Sequence, residues 1–507
     1  MAQARAQTQQ TQAIPRIPPG TAPIVAGLML CMALVAVDAT IVSTAMPSIV
    51  GNLGGFKLYA WVPAVYLLTT AVSTPIYGKL ADLFGRKPVL FAGIGLFLLG
   101  SVASGGAPTM LFLIIARAVQ GLGAGAVQPI TITIVGDIFT LEQRARIQGF
   151  FSSVWGVSSV IGPLVGGLFV DTFSWRWIFY LNIPFGFLSV ALIAVYFHER
   201  STHREHTLDI LGSTLLTVGL SAILLFMIEG GQAWAWISAQ SIALCVLALA
   251  ALVLFVRQEQ ITPEPALPLD LFRSRIITVS ALGTFFAGIV MISVSFEVPL
   301  FVQGVLGLDA LHAGLALAPM SIGWPLAGAM SGKLAIRYGY RMTAVIGLTC
   351  DVVGVAMLVA AGEHTSYAVL SVFCLIIGTG LGLSTTPMLI AVQSSVVWTR
   401  RGIATATNMF VRSFGSVVGL AVMGAIINHA TAAYGSQAST NQALDIHARH
   451  GVATSVLGHI HDALFQGLHW AFVAALVAAA AGALVVVNMP GGSALQHEIQ
   501  EDSPATG

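Results

Sequence analysis

Residues 78–88 read GKLADLFGRKP and lie between two long apolar runs. The segment is too short for a domain, so it reads as a tight connection between two membrane-crossing helices. Gly78 and Gly85 supply backbone freedom for the turn. Lys79, Arg86 and Lys87 put positive charge at a membrane edge, which marks the cytoplasmic side. The stretch recurs as GKLAIRYGYR at 332–341, with Ile336 where the first copy has Asp82. Whatever that acid does is therefore done in one copy only.

Composition agrees with a membrane chain. Of 507 residues, 56% are hydrophobic and 8% are charged, against about 25% charged in a soluble domain. So little polar surface cannot cover a soluble fold of this size. The balance of 22 basic to 21 acidic residues excludes the basic face that a nucleic-acid partner needs. Cys31, Cys245, Cys350 and Cys374 all fall in apolar runs, so neither a disulfide framework nor a metal cluster is expected. The apolar run from residue 23 is too long for a cleaved signal peptide.

A helix needs roughly 20 apolar residues to cross the hydrocarbon core. That ruler predicts fourteen spans, near 23–47, 59–78, 89–105, 109–135, 147–170, 177–197, 208–228, 239–257, 276–302, 310–333, 342–361, 366–392, 403–428 and 468–488. An even count puts both termini on one side. With the N-terminus inside, Lys79, Arg86, Lys87, Arg144, Arg146, Arg200, Arg204, Lys333, Arg337, Arg341 and Arg400 are all cytoplasmic. The outer segments then keep Lys57, Arg176 and Arg449, which settles the expected orientation. The two GKLA copies follow spans 2 and 10, eight helices apart, where two six-helix halves would place them six apart. Spans 7 and 8 are thus an inserted pair.

The expected organisation is a cytoplasmic tail (1–22), an N-terminal six-helix bundle (23–197), the inserted pair with its loops (198–275), a C-terminal six-helix bundle (276–488) and a second cytoplasmic tail (489–507). The outer connection 429–467 carries His447, His450, His459 and His461. A metal site at His459 and His461 competes with an ordinary polar hairpin; the flanking helix formers favour the hairpin, and no metal or cofactor is expected.

Charges inside spans are costly and are candidates for function. Asp38 lies about 22 Å into span 1 from its inner end, and Arg117 about 12 Å into span 4 from its outer end. In a core about 30 Å thick these depths nearly coincide. The two either couple through a shared proton or ligand, or form a static pair that fixes helix packing. Asp351 in span 11 and Arg412 in span 13 both lie about 14 Å from the inner face, and either pair with one another or contact substrate. Glu297, near the outer end of span 9, is a solvated helix end or a carboxylate that attracts cations. Trp61, Tyr66, Trp155 and Trp324 are interfacial aromatics or the walls of a pocket.

GLGAG at 121–125 sits in an apolar run with no soluble strand before it, so its glycines serve close helix packing rather than a dinucleotide. Span 5 concentrates Gly156, Gly162, Pro163, Gly166 and Gly167, which suits tight packing and a loosened backbone. No GxxxxGK[ST] phosphate loop occurs, so any work the chain does is driven by an ion gradient.

Several strings resemble one family. The loop at 78–88 is similar to the signature between helices 2 and 3 of the major facilitator superfamily. VDATIVSTAMPSI (37–49), ARAVQGLGAG (116–125), GPLVGG in span 5 and SWRWIFYLNIPFG (174–186) resemble the fourteen-helix drug:proton antiporters within it. The likeness covers nearly the whole chain and is strongest over 37–186. It implies an all-α integral membrane protein of the cytoplasmic (inner) membrane, with two six-helix halves and an inserted pair. It also implies Asp38 as the proton site, Arg117 as its partner in proton transfer, and outward transport from the span 5 glycines. Gly78, Asp82, Gly85, Arg86 and Asp137 would form a conformational lock; solvated loop charges are the alternative.

The expected function is proton-coupled export of hydrophobic or cationic drugs by alternating access. The rival within transport is a dedicated exporter of one metabolite, antibiotic or lipid. Importers are disfavoured by the span 5 glycines, and an enzyme or receptor by the lack of a clustered nucleophile and base. Partners are expected to be small-molecule substrates, protons and membrane lipid, with a periplasmic adaptor an open question and the chain working as a monomer.

Overall fold

The computed structural model describes residues 20–139, 141–199, 209–230, 233–262, 265, 267–397, 400–432 and 454–490. Its helices are α1 (Ala22–Leu53), α2 (Trp61–Phe84), α3 (Arg86–Gly105), α4 (Met110–Ile138), α5 (Leu141–Thr172), α6 (Trp177–Tyr196) and α7 (Ile210–Glu229). They continue with α8 (Ala239–Ile261), α9 (Arg275–Leu300), α10 (Ala310–Ala335), α11 (Arg337–Val359), α12 (Tyr367–Ser394), α13 (Arg401–Ala432) and α14 (Thr454–Val487). Among the described residues, stretches on twelve of them, on all but α2 and α5, are long and apolar enough to cross a membrane. The other two are of similar length, at 24 and 32 residues.

The 78–88 stretch is tighter than the sequence suggested. Gly78 lies inside α2, which runs on to Phe84, and a Cβ there would meet nothing within 4 Å. Gly85 alone makes the turn, at φ 94° and ψ 153°, a conformation open to glycine but strained for other residues. The second copy repeats it: Gly339 breaks the helix between α10 and α11 at φ 83° and ψ 160°. The GKLA echo is thus a repeat of backbone geometry. The connection between α13 and α14 is shorter than expected, because α13 reaches Ala432 and α14 starts at Thr454. Apolar periodicity fades before these helices end, so hydropathy alone cut them short. His447 and His450 and the side chain of His459 lie outside the described residues. His461 Nε2 is 3.0 Å from the Val305 carbonyl.

Small residues set the packing. A Cβ at Gly123 would stand 2.3 Å from the Phe97 nitrogen of α3, and one at Gly121 2.5 Å from the Tyr66 carbonyl of α2. The GLGAG run therefore lets α4 seat against both neighbours. On α5, Gly162 and Gly166 face Thr40 and Thr44 of α1, while Gly156 and Gly167 face Pro325 and Leu311 of α10. The side chain of Pro163 lies outside the described residues.

Helices α1–α6 meet α9–α14 along three lines: α5 on α10, α2 on α13, and α1 on α9. Most of the hydrogen bonds across this seam gather where α1 ends and α2 begins. Gln303 donates to the Thr44 carbonyl at 3.0 Å, and the Tyr59 hydroxyl to the Phe296 carbonyl at 2.9 Å. Asn428 donates to the Lys57 carbonyl at 3.1 Å. Asp171, at the end of α5, accepts from the Ala310 and Leu311 amides that start α10. A weaker contact, Gln128 Nε2 to Met409 Sδ at 3.7 Å, lies deeper. Helix α7 packs on α2 and α13, pinned by Trp61 Nε1 to Glu229 at 2.9 Å, and α8 lies outside it as the least buried candidate span.

Candidate functional site

Asp38 sits in the middle of α1 and is fully buried. A bare carboxylate there would be prohibitively costly, and the surrounding helices supply donors. Arg117 Nη1, from α4, donates to Asp38 Oδ2 at 2.6 Å. Gln120 Nε2, one turn further along α4, donates to Oδ1 at 2.7 Å. Asn182 Nδ2, from α6, donates to Oδ1 at 3.1 Å. The partners are themselves tied together: Gln120 Oε1 accepts from Arg117 Nη1 at 2.7 Å, and the Ser101 hydroxyl of α3 accepts from Gln120 at 2.8 Å and Asn182 at 3.2 Å. From α2, the Tyr66 ring lies 3.9 Å from the Arg117 guanidinium carbon, a cation–π contact. Five helices converge on one carboxylate.

This arrangement has a chemical consequence. An ionised carboxylate is acceptor-only, and three donors point at its two oxygens. A proton placed on either oxygen would face an N–H already aimed there. Protonation of Asp38 would weaken the Arg117 pair, because a hydrogen bond between two charged groups is stronger than one to a neutral acid.

The structure thus brings Asp38 and Arg117 together, as their depths suggested. The amide and hydroxyl partners were not anticipated, although both amides left traces. Gln120 stands three residues after Arg117, on the same helix face, and Asn182 lies inside the SWRWIFYLNIPFG string. Ser101 left no signal. Tyr66 packs on Arg117 rather than lining an open wall, and Trp61 is engaged by Glu229.

Other expected sites stand differently. Asp351 and Arg412 do not pair: the Asp351 carboxylate is fully buried with no hydrogen-bond partner among the described residues, and the Arg412 guanidinium lies 5.9 Å from the Trp324 ring. Equal depth along two helices does not fix facing, and Asp351 points at Gly380 of α12 instead. Glu297 is not a solvated helix end; it is 2% exposed, and neither oxygen has a hydrogen-bond partner among the described residues. At the expected lock, the side chains of Asp82 and Asp137 lie outside the described residues. Around Gly85 and Arg86 the structure shows a different acid: Glu199 accepts from the Arg86 amide at 2.6 Å and the Lys87 amide at 3.1 Å. A carboxylate on these orphan amides caps the start of α3. Lys87 Nζ in turn donates to the Ala194 and Phe197 carbonyls beside it.

The model of the Major Facilitator Superfamily matches residues 28–420. The chain is 38% identical over 405 residues to the multidrug transporter protein MdtP of Bacillus subtilis (strain 168), covering 80% of this chain and 75% of that one. It is 33% identical over 483 residues to multidrug resistance protein 3 of the same organism, covering 92% and 94%. Among solved structures it is similar to a bacterial homolog of the human lysosomal transporter Spinster, with a TM-score of 0.66 over 95% of this chain and 99% of that one, at 14% identity. With these helices and this reach of the match, the chain belongs to the Major Facilitator Superfamily.

Proposed function

We propose that the chain exports hydrophobic or cationic compounds, drugs among them, across the cytoplasmic membrane in exchange for protons. The observation that carries this reading is the Asp38 network, in which Arg117, Gln120 and Asn182 all donate to one carboxylate buried in the membrane helices. The names of the relatives support the cargo class. In this reading α2 and α5 also cross the membrane, giving fourteen spans: two six-helix halves, α1–α6 and α9–α14, with α7 and α8 inserted between them. The seam favours it, because α5 on α10 and α2 on α13 are the same contact seen from the two sides of a pseudo-twofold axis along the membrane normal, with α1 on α9 at that axis. The charge distribution supports termini on the cytoplasmic side. The sealed end of the seam is then the outer one.

The cycle follows from those parts. With the outer end open, a proton reaches Asp38 and releases Arg117, which loosens α1 against α4 and discharges a cationic cargo. The halves then rock, the proton leaves toward the cytoplasm, and Arg117 re-pairs. The membrane potential favours inward proton movement by about 2.3 kcal/mol per charge per 100 mV. Gly78, Asp82, Gly85, Arg86 and Asp137 are assigned to hold the inner end, with Glu199 fixing the α3 start beside them. The chain acts as a monomer.

The test is dye efflux from everted vesicles with and without an uncoupler, comparing the native chain with Asp38→Asn. Native efflux should collapse with the gradient, and the variant should lack gradient-driven efflux. Undiminished, uncoupler-sensitive efflux by Asp38→Asn would remove Asp38 from the mechanism.

A further inference from the structure

Glu297 lies three residues before the end of α9, and its surroundings belong to the seam. The carbonyl of the preceding Phe296 accepts the Tyr59 hydroxyl, and the two rings meet edge-on at 6.5 Å. Tyr59 sits in the α1–α2 connection, across the seam from α9. Pro299 then removes a backbone donor from α9. A π-helical turn, Phe301–Val305, follows, and its Gln303 is bonded to Thr44 and Ser48 of α1. Such turns often mark functional places in helices.

Other elements packed on α9 carry charged or titratable groups, but none reaches this carboxylate among the described residues. On α13, Arg412 lies over Trp324, and His429 is exposed. On α14, His461 bonds the Val305 carbonyl, Asp462 is exposed, and His469 packs on Phe465 and Trp470. At the start of α10, Asp309 and His312 bond one another. Tyr59, bonded to the carbonyl of the adjacent Phe296, is the titratable group that the seam brings beside this turn of α9.

An ionised carboxylate with no donor in an apolar seam is far costlier than the neutral acid, so closing the seam requires a proton on it. Parting the halves at this end admits water, which solvates the ionised form. We propose that Glu297 is a second proton-binding site, filled while the outer seam is closed and emptied to the outer medium when it opens. Asp38 differs, since Arg117, Gln120 and Asn182 donate to its two oxygens in this same conformation. The two acids thus exchange roles as the halves rock. Asp351 is equally unpartnered, but it lies between α11 and α12 of one half, where rocking exposes nothing. The inference rests on the proposed function only in requiring that the seam opens.

The test reads the opening itself, in the full chain in lipid nanodiscs. Spin labels at Lys57→Cys and His364→Cys, with the exposed Cys245 replaced by serine, report the width of the outer seam over a pH series. One proton released on opening changes the closed-to-open ratio by up to tenfold per pH unit. Asp38 takes up a proton on opening and masks part of this, so Asp38→Asn should steepen the loss of the closed form as pH rises. Glu297→Gln should remove that loss in the native and Asp38→Asn backgrounds alike, leaving the seam closed throughout. A slope unchanged by Glu297→Gln overturns the proposal. If Asp38→Asn leaves the slope unaltered while Glu297→Gln flattens it, the Asp38 reading fails and this one stands. Should Glu297→Gln not reach the membrane, Glu297→Asp keeps the titration and should displace the infrared band of a protonated carboxyl in the closed protein. An undisplaced band is the second way to overturn it.

Discussion

Asp38 and Asp351 are both fully buried carboxylates on membrane helices, one in each group of six, yet they are solved in opposite ways. Asp38 is met by Arg117, Gln120 and Asn182, with Ser101 behind them. Asp351 rests against the backbone of Gly380 with both oxygens unpartnered. The difference lies in the helices around them. In the first group, α3, α4 and α6 each turn a polar residue toward α1. In the second, the face opposite Asp351 is glycine. One acid is met by donors; the other is tolerated without any among the described residues.

The sharpest way to break this comparison is to remove each charge. Asp38→Ala strands the Arg117 guanidinium in the interior, and losing one partner of a buried pair costs about 3–5 kcal/mol. Asp351→Asn exchanges one unpartnered buried polar group for another, so it should cost less than the about 1–3 kcal/mol of newly stranding a buried group. Thermal unfolding of the two variants in the same detergent measures both. Equal losses would mean that Asp351 has a partner in the folded protein.

The amides offer a finer cut. Gln120 joins Arg117, Asp38 and Ser101, so Gln120→Ala leaves buried polar atoms unsatisfied at about 1–3 kcal/mol. If the network acts as a unit, the loss in Gln120→Ala combined with Asp38→Ala should be well short of the sum of the two, because neighbours in one network are not additive. Strict additivity in that double-mutant cycle would reduce Gln120 to a bystander.

How far the sequence reached follows from the same contrast. Span positions, the repeated turn and the depths of Asp38 and Arg117 are carried by hydropathy and helical rise, which are local. They were legible, though Gly78 turned out to be helical and α14 to start earlier. Facing is a property of tertiary packing. Asp351 and Arg412 share a depth, and nothing in one sequence says that α11 turns its acid toward α12. Glu297 likewise reads as a helix end, because its burial comes from Tyr59 and the seam rather than from its own helix. Gln120 and Asn182 were visible within quoted motifs, yet an amide in an apolar run has no chemistry until its neighbours are known.

The smallest effect concerns two acids next to the two groups, one just after α6 and one just before α9. Glu199 binds backbone amides in a partly buried place, whereas Asp270 takes the Arg400 guanidinium in bidentate fashion at 2.6 and 3.0 Å with both side chains nearly half exposed. Exposed pairs contribute about 0–1 kcal/mol and are screened by salt. The Arg400 hydrogen bond holds the Asp270 carboxyl below the usual carboxylate range. A lowered value in the folded state gives stability that is full above the ordinary carboxylate pKa of about 3.9 and is lost as pH falls through the folded one. Asp270→Asn should therefore cost under about 1 kcal/mol at neutral pH, less at high salt, and should lose its difference from the native chain in acid. Glu199→Gln should be less sensitive to salt, because its donors are fixed amides at a helix start rather than a mobile side chain. A salt dependence for Glu199→Gln as steep as that for Asp270→Asn would show that exposure, rather than the kind of donor, governs both.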